Sequence, residues 1–128
     1  MNRDEFIKNY SKFAKYAAAC AEKARREGFL SIEDKIDQEK VLERDIFEYG
    51  MSFVVDGTDG SLIESILSNI IAQEEDEYAQ IFKTIQLEAV LSIQAGDNTR
   101  ILLCKLNSLT ELSIKDDPVI QAYKTRSP

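Results

Sequence analysis

At 128 residues the chain is long enough for one domain with one buried core, and its 44% hydrophobic and 30% charged content excludes a disordered polyelectrolyte. Its unbroken apolar runs are only a few residues long, against the roughly 20 that span a bilayer, so no transmembrane helix is expected. The net charge of −7 is unevenly held, with +1 on residues 1–40, −10 on residues 41–97 and +2 on residues 98–128, and so acidic a middle excludes the basic footprint that nucleic acid requires.

Asp4 is placed to cap a first helix. Behind it Phe6, Tyr10, Phe13, Ala17, Cys20 and Ala24 recur every three or four residues, the spacing of one helical face. The pattern predicts a helix over about 4–27. Gly28 interrupts it, and Phe29, Ile32 and Ile36 fall about one position out of register, which predicts a kink followed by more helix to about Asp37. A second pattern over 40–55, with Leu42, Ile46, Tyr49 and Phe53 on one side, predicts another helix that Gly57 ends.

Thr58 or Asp59 restarts the chain, and Ser61 with Glu64 has the spacing of a capping box. From there to residue 95 there is neither glycine nor proline. Ile63, Ile66, Leu67 and Ile70 precede the acidic run 74–77, and Tyr78, Ile81, Phe82, Ile85, Ala89 and Ile93 lie beyond it. Two architectures compete here. Either residues 74–78 close a hairpin, or one helix of about 34 residues runs through 72–80 and a second chain completes the packing as an exchanged dimer. The helix-forming composition favours the long helix. Gly96 supplies a stop, Asp97 and Asn98 the next cap, and residues 99–112 a further helix through Ile101, Leu102, Leu106 and Leu109. Asp117 and Pro118 open a last short turn before a frayed tail over 119–128. The expected fold class is all-α, a small helical bundle with one long central helix, in a single domain over 1–128.

The chemistry-bearing residues are sparse. There is no histidine, and Cys20 and Cys104 lie far apart without a Cys-x-x-Cys spacing, so neither a metal nor a cofactor site is expected and both thiols read as small buried groups. The acidic clusters at 74–77 and 116–117 read as solvated helix and cap, which leaves no catalytic constellation and predicts a non-enzyme. The first residues lack the apolar core of a signal peptide, and with no span expected the reading is cytoplasmic.

Three fragments carry a resemblance. Residues 21–33 read Ala-Glu-Lys-Ala-Arg-Arg-Glu-Gly-Phe-Leu-Ser-Ile-Glu, residues 54–67 read Val-Val-Asp-Gly-Thr-Asp-Gly-Ser-Leu-Ile-Glu-Ser-Ile-Leu, and residues 88–106 include Ser-Ile-Gln-Ala-Gly. In this order they resemble the cytoplasmic region of the MotA family of flagellar stator proteins, within the wider MotA/TolQ/ExbB group. The match covers most of residues 10–110. The family's transmembrane hairpin belongs between the second and third fragments, where this chain has about ten residues, 74–83.

The resemblance implies a non-catalytic motility protein that binds a motor partner, either the rotor switch protein or stator components. The family's rotor-engaging charges fall on Arg25 and Glu33, with Arg26 a neighbouring candidate. On a continuous helix these two would stand about 12 Å apart on broadly one side. The chain departs from the family at Thr99, where many members have proline, and at 68–71, where Ser-Asn-Ile-Ile replaces acidic residues. Ion conduction is excluded with the spans. The alternative reading is a helical oligomerisation or scaffold module unrelated to motility, and a homodimer fits either.

Overall fold

In the computed structural model, which describes residues 1–35 and 45–110, the apolar row of the first pattern becomes the buried face of α1 (Arg3–Glu27). Phe6, Tyr10, Phe13, Ala14, Ala17, Cys20, Ala21 and Ala24 are all buried along it. The cap is Asn2 rather than Asp4: its side-chain oxygen accepts the Glu5 N–H at 2.8 Å. Asp4 and Glu5 instead sit in the first turn, where the positive end of the helix dipole favours acids.

Gly28 ends α1 at φ +88°, a conformation that a side chain would strain, and its N–H donates to the Ala24 carbonyl at 2.8 Å. The chain continues as a 3-10 turn, Phe29–Lys35, and not as a resumed α-helix. Ile32, 2% exposed, ties that turn to the core. The predicted helical register at Ile36 lies outside the described residues.

α2 (Ile46–Val55) starts later than the apolar pattern suggests, because the Asp45 side chain caps it by accepting the Glu48 N–H at 2.7 Å. α3 (Gly60–Ile71) starts at Asp59 and not at Ser61, whose hydroxyl turns back to donate to the Asp59 carboxylate at 2.9 Å. α4 (Glu77–Ala95) and α5 (Thr99–Ser108) complete the described chain, with α5 capped by the Asn98 side chain on the Ile101 N–H at 2.9 Å. Gly57 and Gly96 stop the helices before them, as the sequence predicts. The last predicted turn and the tail over 119–128 lie outside the described residues. No strand occurs among the described residues, and the fold is an all-α bundle.

The predicted helix of about 34 residues is two helices. α3 ends at Ile71, α4 begins at Glu77, and residues 72–76 turn the chain between them. Asp76 is the cap, its side chain accepting the Ala79 N–H at 2.8 Å. Gln80 donates its amide at 3.3 Å to the Ile71 carbonyl, which also accepts the Glu74 N–H at 3.0 Å, and Lys83 reaches Glu74 at 2.9 Å across the turn. Folding back lets the α3 row of Ile63, Leu67 and Ile71 bury in the same core as Ile85, Leu87, Val90 and Ile93 of α4. Each such burial stabilises by about 1.5–3 kcal/mol, far more than the few tenths per residue by which helix propensity favours a straight run. With α3 packed on α4 inside one chain, the bundle does not require the exchanged partner.

The central long helix is α4, which touches α1, α2, α3 and α5. Rings set the direction of α1 against it. Phe6 meets Tyr78 at 5.3 Å and Phe13 meets Phe82 at 5.7 Å, so both helices run away from the hairpin. α2 crosses α4 at Gly50, where a Cβ would stand 2.7 Å from Val90 Cγ2 and 3.0 Å from Leu67 Cδ1. At the far end of α4, Gln94 donates to the Thr58 carbonyl at 2.7 Å and ties the α2–α3 loop down.

Candidate partner-binding site

Arg25 and Arg26 occupy the last turn of α1, where cations complement the negative end of the helix dipole. Gly28 then turns the chain. Ser31 fixes the corner by donating its N–H at 3.2 Å and its hydroxyl at 2.6 Å to the Gly28 carbonyl. Glu33 lies in the 3-10 turn beyond. Because the helix breaks between them, Arg25 and Glu33 do not share one helical face, and the spacing expected of a continuous helix does not apply.

All three candidates are exposed. Arg26 donates to the Glu22 carbonyl at 3.4 Å, and among the described residues Arg25 has no ion pair. The corner also displays Leu30, 70% exposed, between the arginines and Glu33 in sequence. Sequence reasoning missed Leu30. Phe29 and Ile32 pack inward at the turn while Leu30 does not, and nothing in the apolar spacing separates Leu30 from them. The corner thus exposes one apolar side chain with charged residues on either side of it in sequence.

The opposite end of α1 lies at the α3–α4 hairpin, where the chain's amino group meets Asp76 at 3.3 Å. Arg25 stands 22 residues beyond the start of the helix, about 33 Å along its axis. The hairpin carboxylates are held in charged form. Lys83 and then the Asp76 N–H keep Glu74 below its ordinary range, and the Ala79 N–H and then the chain's amino group do the same for Asp76. At the α4–α5 loop, Lys105 and then the Ser92 hydroxyl lower Asp97.

Cys20 is buried as expected, whereas Cys104 is half-buried, and the two do not form a disulfide. Burial, with Cys20, Glu48 and Asp45 adding to it, pushes the Tyr16 phenol up. Among the described residues no group of three histidine, cysteine or acidic side chains is placed to hold a metal ion. A cleft of about 380 Å³ beside the hairpin is lined by Ser68, Ile71, Gln80, Ile81, Thr84 and Leu109 among others, and none of its lining residues is ionisable. The geometry therefore describes a helical bundle with an exposed, charged corner after α1.

Comparison with known proteins gives that description a direction. The chain is 33% identical over 81 residues to motility protein A of Borreliella burgdorferi, a match that takes in 59% of this chain and 30% of that protein. The chain thus corresponds to less than a third of the length of its relative. No protein-family model and no solved structure matches it. The similarity suggests a MotA-related protein with a motility-related role. Among the described residues no helix is long and apolar enough to cross a membrane.

Proposed function

We propose that this protein is a non-catalytic, MotA-like component of the flagellar motility system. It binds a motor partner, the rotor switch protein, through Arg25, Arg26 and Glu33, with Leu30 as the apolar centre of the contact. The observation that carries the reading is the corner after α1. Arg25 and Glu33 fall on the positions where the family resemblance puts rotor-facing groups, Arg26 neighbours them, and all three are exposed. They sit at the end of α1 away from the hairpin, the place where the family's membrane spans would enter. Complementary charge at such a contact sets association rate and specificity more than raw affinity.

The test titrates the C-terminal domain of the switch protein against the labelled chain, with fluorescence anisotropy as the readout. Arg25→Glu and Glu33→Lys are each expected to weaken binding at least about tenfold. Equal affinity of wild type and both variants removes these residues from the contact. Failure of the wild type to bind removes this partner.

A second reading, a helical oligomerisation or scaffold module, draws on α3. Leu62 and Ile66, one turn apart, are 56% and 37% exposed on a helix with a single charged residue. Sedimentation equilibrium of wild type and Leu62→Ser/Ile66→Ser separates the two, since a monomer in both cases removes the second reading.

A further inference from the structure

α1 carries another surface, which shares only Arg26 with the corner. Lys8, Lys12, Lys15, Ala19, Lys23 and Arg26 fall within an arc of about 80° at 100° per residue, on the side opposite the Phe6, Tyr10, Ala17 and Ala24 row. All but the half-buried Lys23 are exposed. From Phe6 to Ala21 the three lysines are the only charges on the helix. The ion pairs among the described residues join Met1 to Asp76, Lys83 to Glu74 and Lys105 to Asp97, so none engages this row.

Five cations, four of them exposed, thus line about 27 Å of helix. Glu5, Glu22 and Glu27 flank the ends of the row at helical-neighbour spacing, whereas Lys12 and Lys15 have no acidic residue three or four positions away, and Lys12 repels both Lys8 and Lys15. The row's centre is Ala19, small enough for another backbone to approach. Its edge is Tyr16, 38% exposed, its ring held edge-on against Phe47 at 5.6 Å. A small centre, a fixed aromatic and a cationic rim describe a seat for a helix.

We propose that the outer face of α1 docks an acidic helix of a partner protein, one presenting a carboxylate at nearly every turn. The rest of the molecule selects against continuous polyanions, because the −10 carried by residues 41–97 repels duplex nucleic acid or an anionic bilayer at long range. Nor does the stripe hold a leucine, phenylalanine or tryptophan to enter a bilayer. A discrete helix is short enough to lie along the row itself, which Glu48 and Asp45 border only at the Tyr16 edge. The inference rests on the charges of α1 and not on the motility reading.

The experiment uses the full chain and a labelled helical peptide with glutamate at positions i, i+4, i+7 and i+11, against a glutamine-substituted control, in low and in moderate salt. Vesicles containing phosphatidylserine and a 20-base-pair duplex DNA are titrated alongside. The acidic peptide alone is expected to bind, more weakly as salt screens the contact. Lys8→Glu/Lys12→Glu/Lys15→Glu should weaken it at least about tenfold while helicity and Tm hold. Ala19→Arg should weaken it too although it adds a cation, because the centre is then filled. Should the triple variant unfold, Lys12→Gln takes its place, with a smaller loss expected.

No binding of the acidic peptide, or equal binding by the reversed variants, overturns the proposal. So does tighter binding by Ala19→Arg, which would mean diffuse attraction without a seat. Stripe-dependent binding of the vesicles or the duplex in preference to the peptide overturns it as well.

Discussion

Gly50 offers the sharpest test of the packing. In the middle of α2 an alanine is worth about 0.5–1 kcal/mol over glycine in helix propensity alone, so an exposed site would gain stability from Gly50→Ala. Here the new methyl would stand 2.7 and 3.0 Å from the two Val90 methyls and 3.0 Å from Leu67 Cδ1. Val90 and Leu67 are both fully buried and cannot swing into solvent. Overpacking of this kind costs about 1–3 kcal/mol, which outweighs the propensity gain and leaves a net loss of about 1–2 kcal/mol. Val90→Ala alone removes two buried methyls and should cost about 2–3 kcal/mol. In the double variant the methyl of residue 50 occupies part of the space Val90 leaves. The two losses should therefore fall short of additive by about 1 kcal/mol or more. Urea unfolding monitored by circular dichroism at constant m measures all four corners of the cycle. A stabilised Gly50→Ala, or strict additivity, would refute the close crossing of α2 on α4.

Other perturbations report on the hairpin, the core and the corner. Leu67→Ala should destabilise by about 2–5 kcal/mol in the same urea assay, since the side chain is fully buried at the meeting of three helices. Arg25→Glu should cost no more than about 1 kcal/mol, because the group is exposed and only its match to the helix dipole is reversed, and this separates a binding defect from a folding one. Leu30→Asp should weaken partner binding with an unchanged Tm, and unchanged binding would place the contact elsewhere. Glu74, Asp76 and Asp97 all bind protons less readily folded than unfolded, so their stabilisation is complete above the unfolded carboxylate range of about 4 and fades as pH falls through their lower folded values. The Tm should accordingly hold from neutral pH to about 5 and drop below about 4. Lys105→Met should flatten that acid limb.

The extent to which the fold was legible depended on where glycine and capping side chains fell. α1 and the break after it follow directly from the apolar row and Gly28. The stops at Gly57 and Gly96 and the cap at Asn98 were equally plain. The hairpin was not. Residues 72–76 contain no glycine or proline, and their composition suits a helix, so the turn is imposed by the burial of Ile63, Leu67 and Ile71 against α4. Asp76 was its one local signal, a capping side chain inside an acidic run that reads as solvated surface. The candidate charges Arg25, Arg26 and Glu33 came from the family resemblance, while their separation onto a helix end and a 3-10 turn required the geometry. Leu30 stayed hidden because its exposure depends on which way the corner turns.

The closing of α3 onto α4 has a topological outcome. The chain leaves the bundle at Ile71 and re-enters it at Glu77, with both crossing points at one edge and with Gln80 bonded back to Ile71. Loop-closure entropy grows only slowly with length, so a gate with adjacent posts admits a long excursion almost as readily as five residues. An insertion of any length at this point therefore leaves the packing of α1, α2 and α5 on α4 in place.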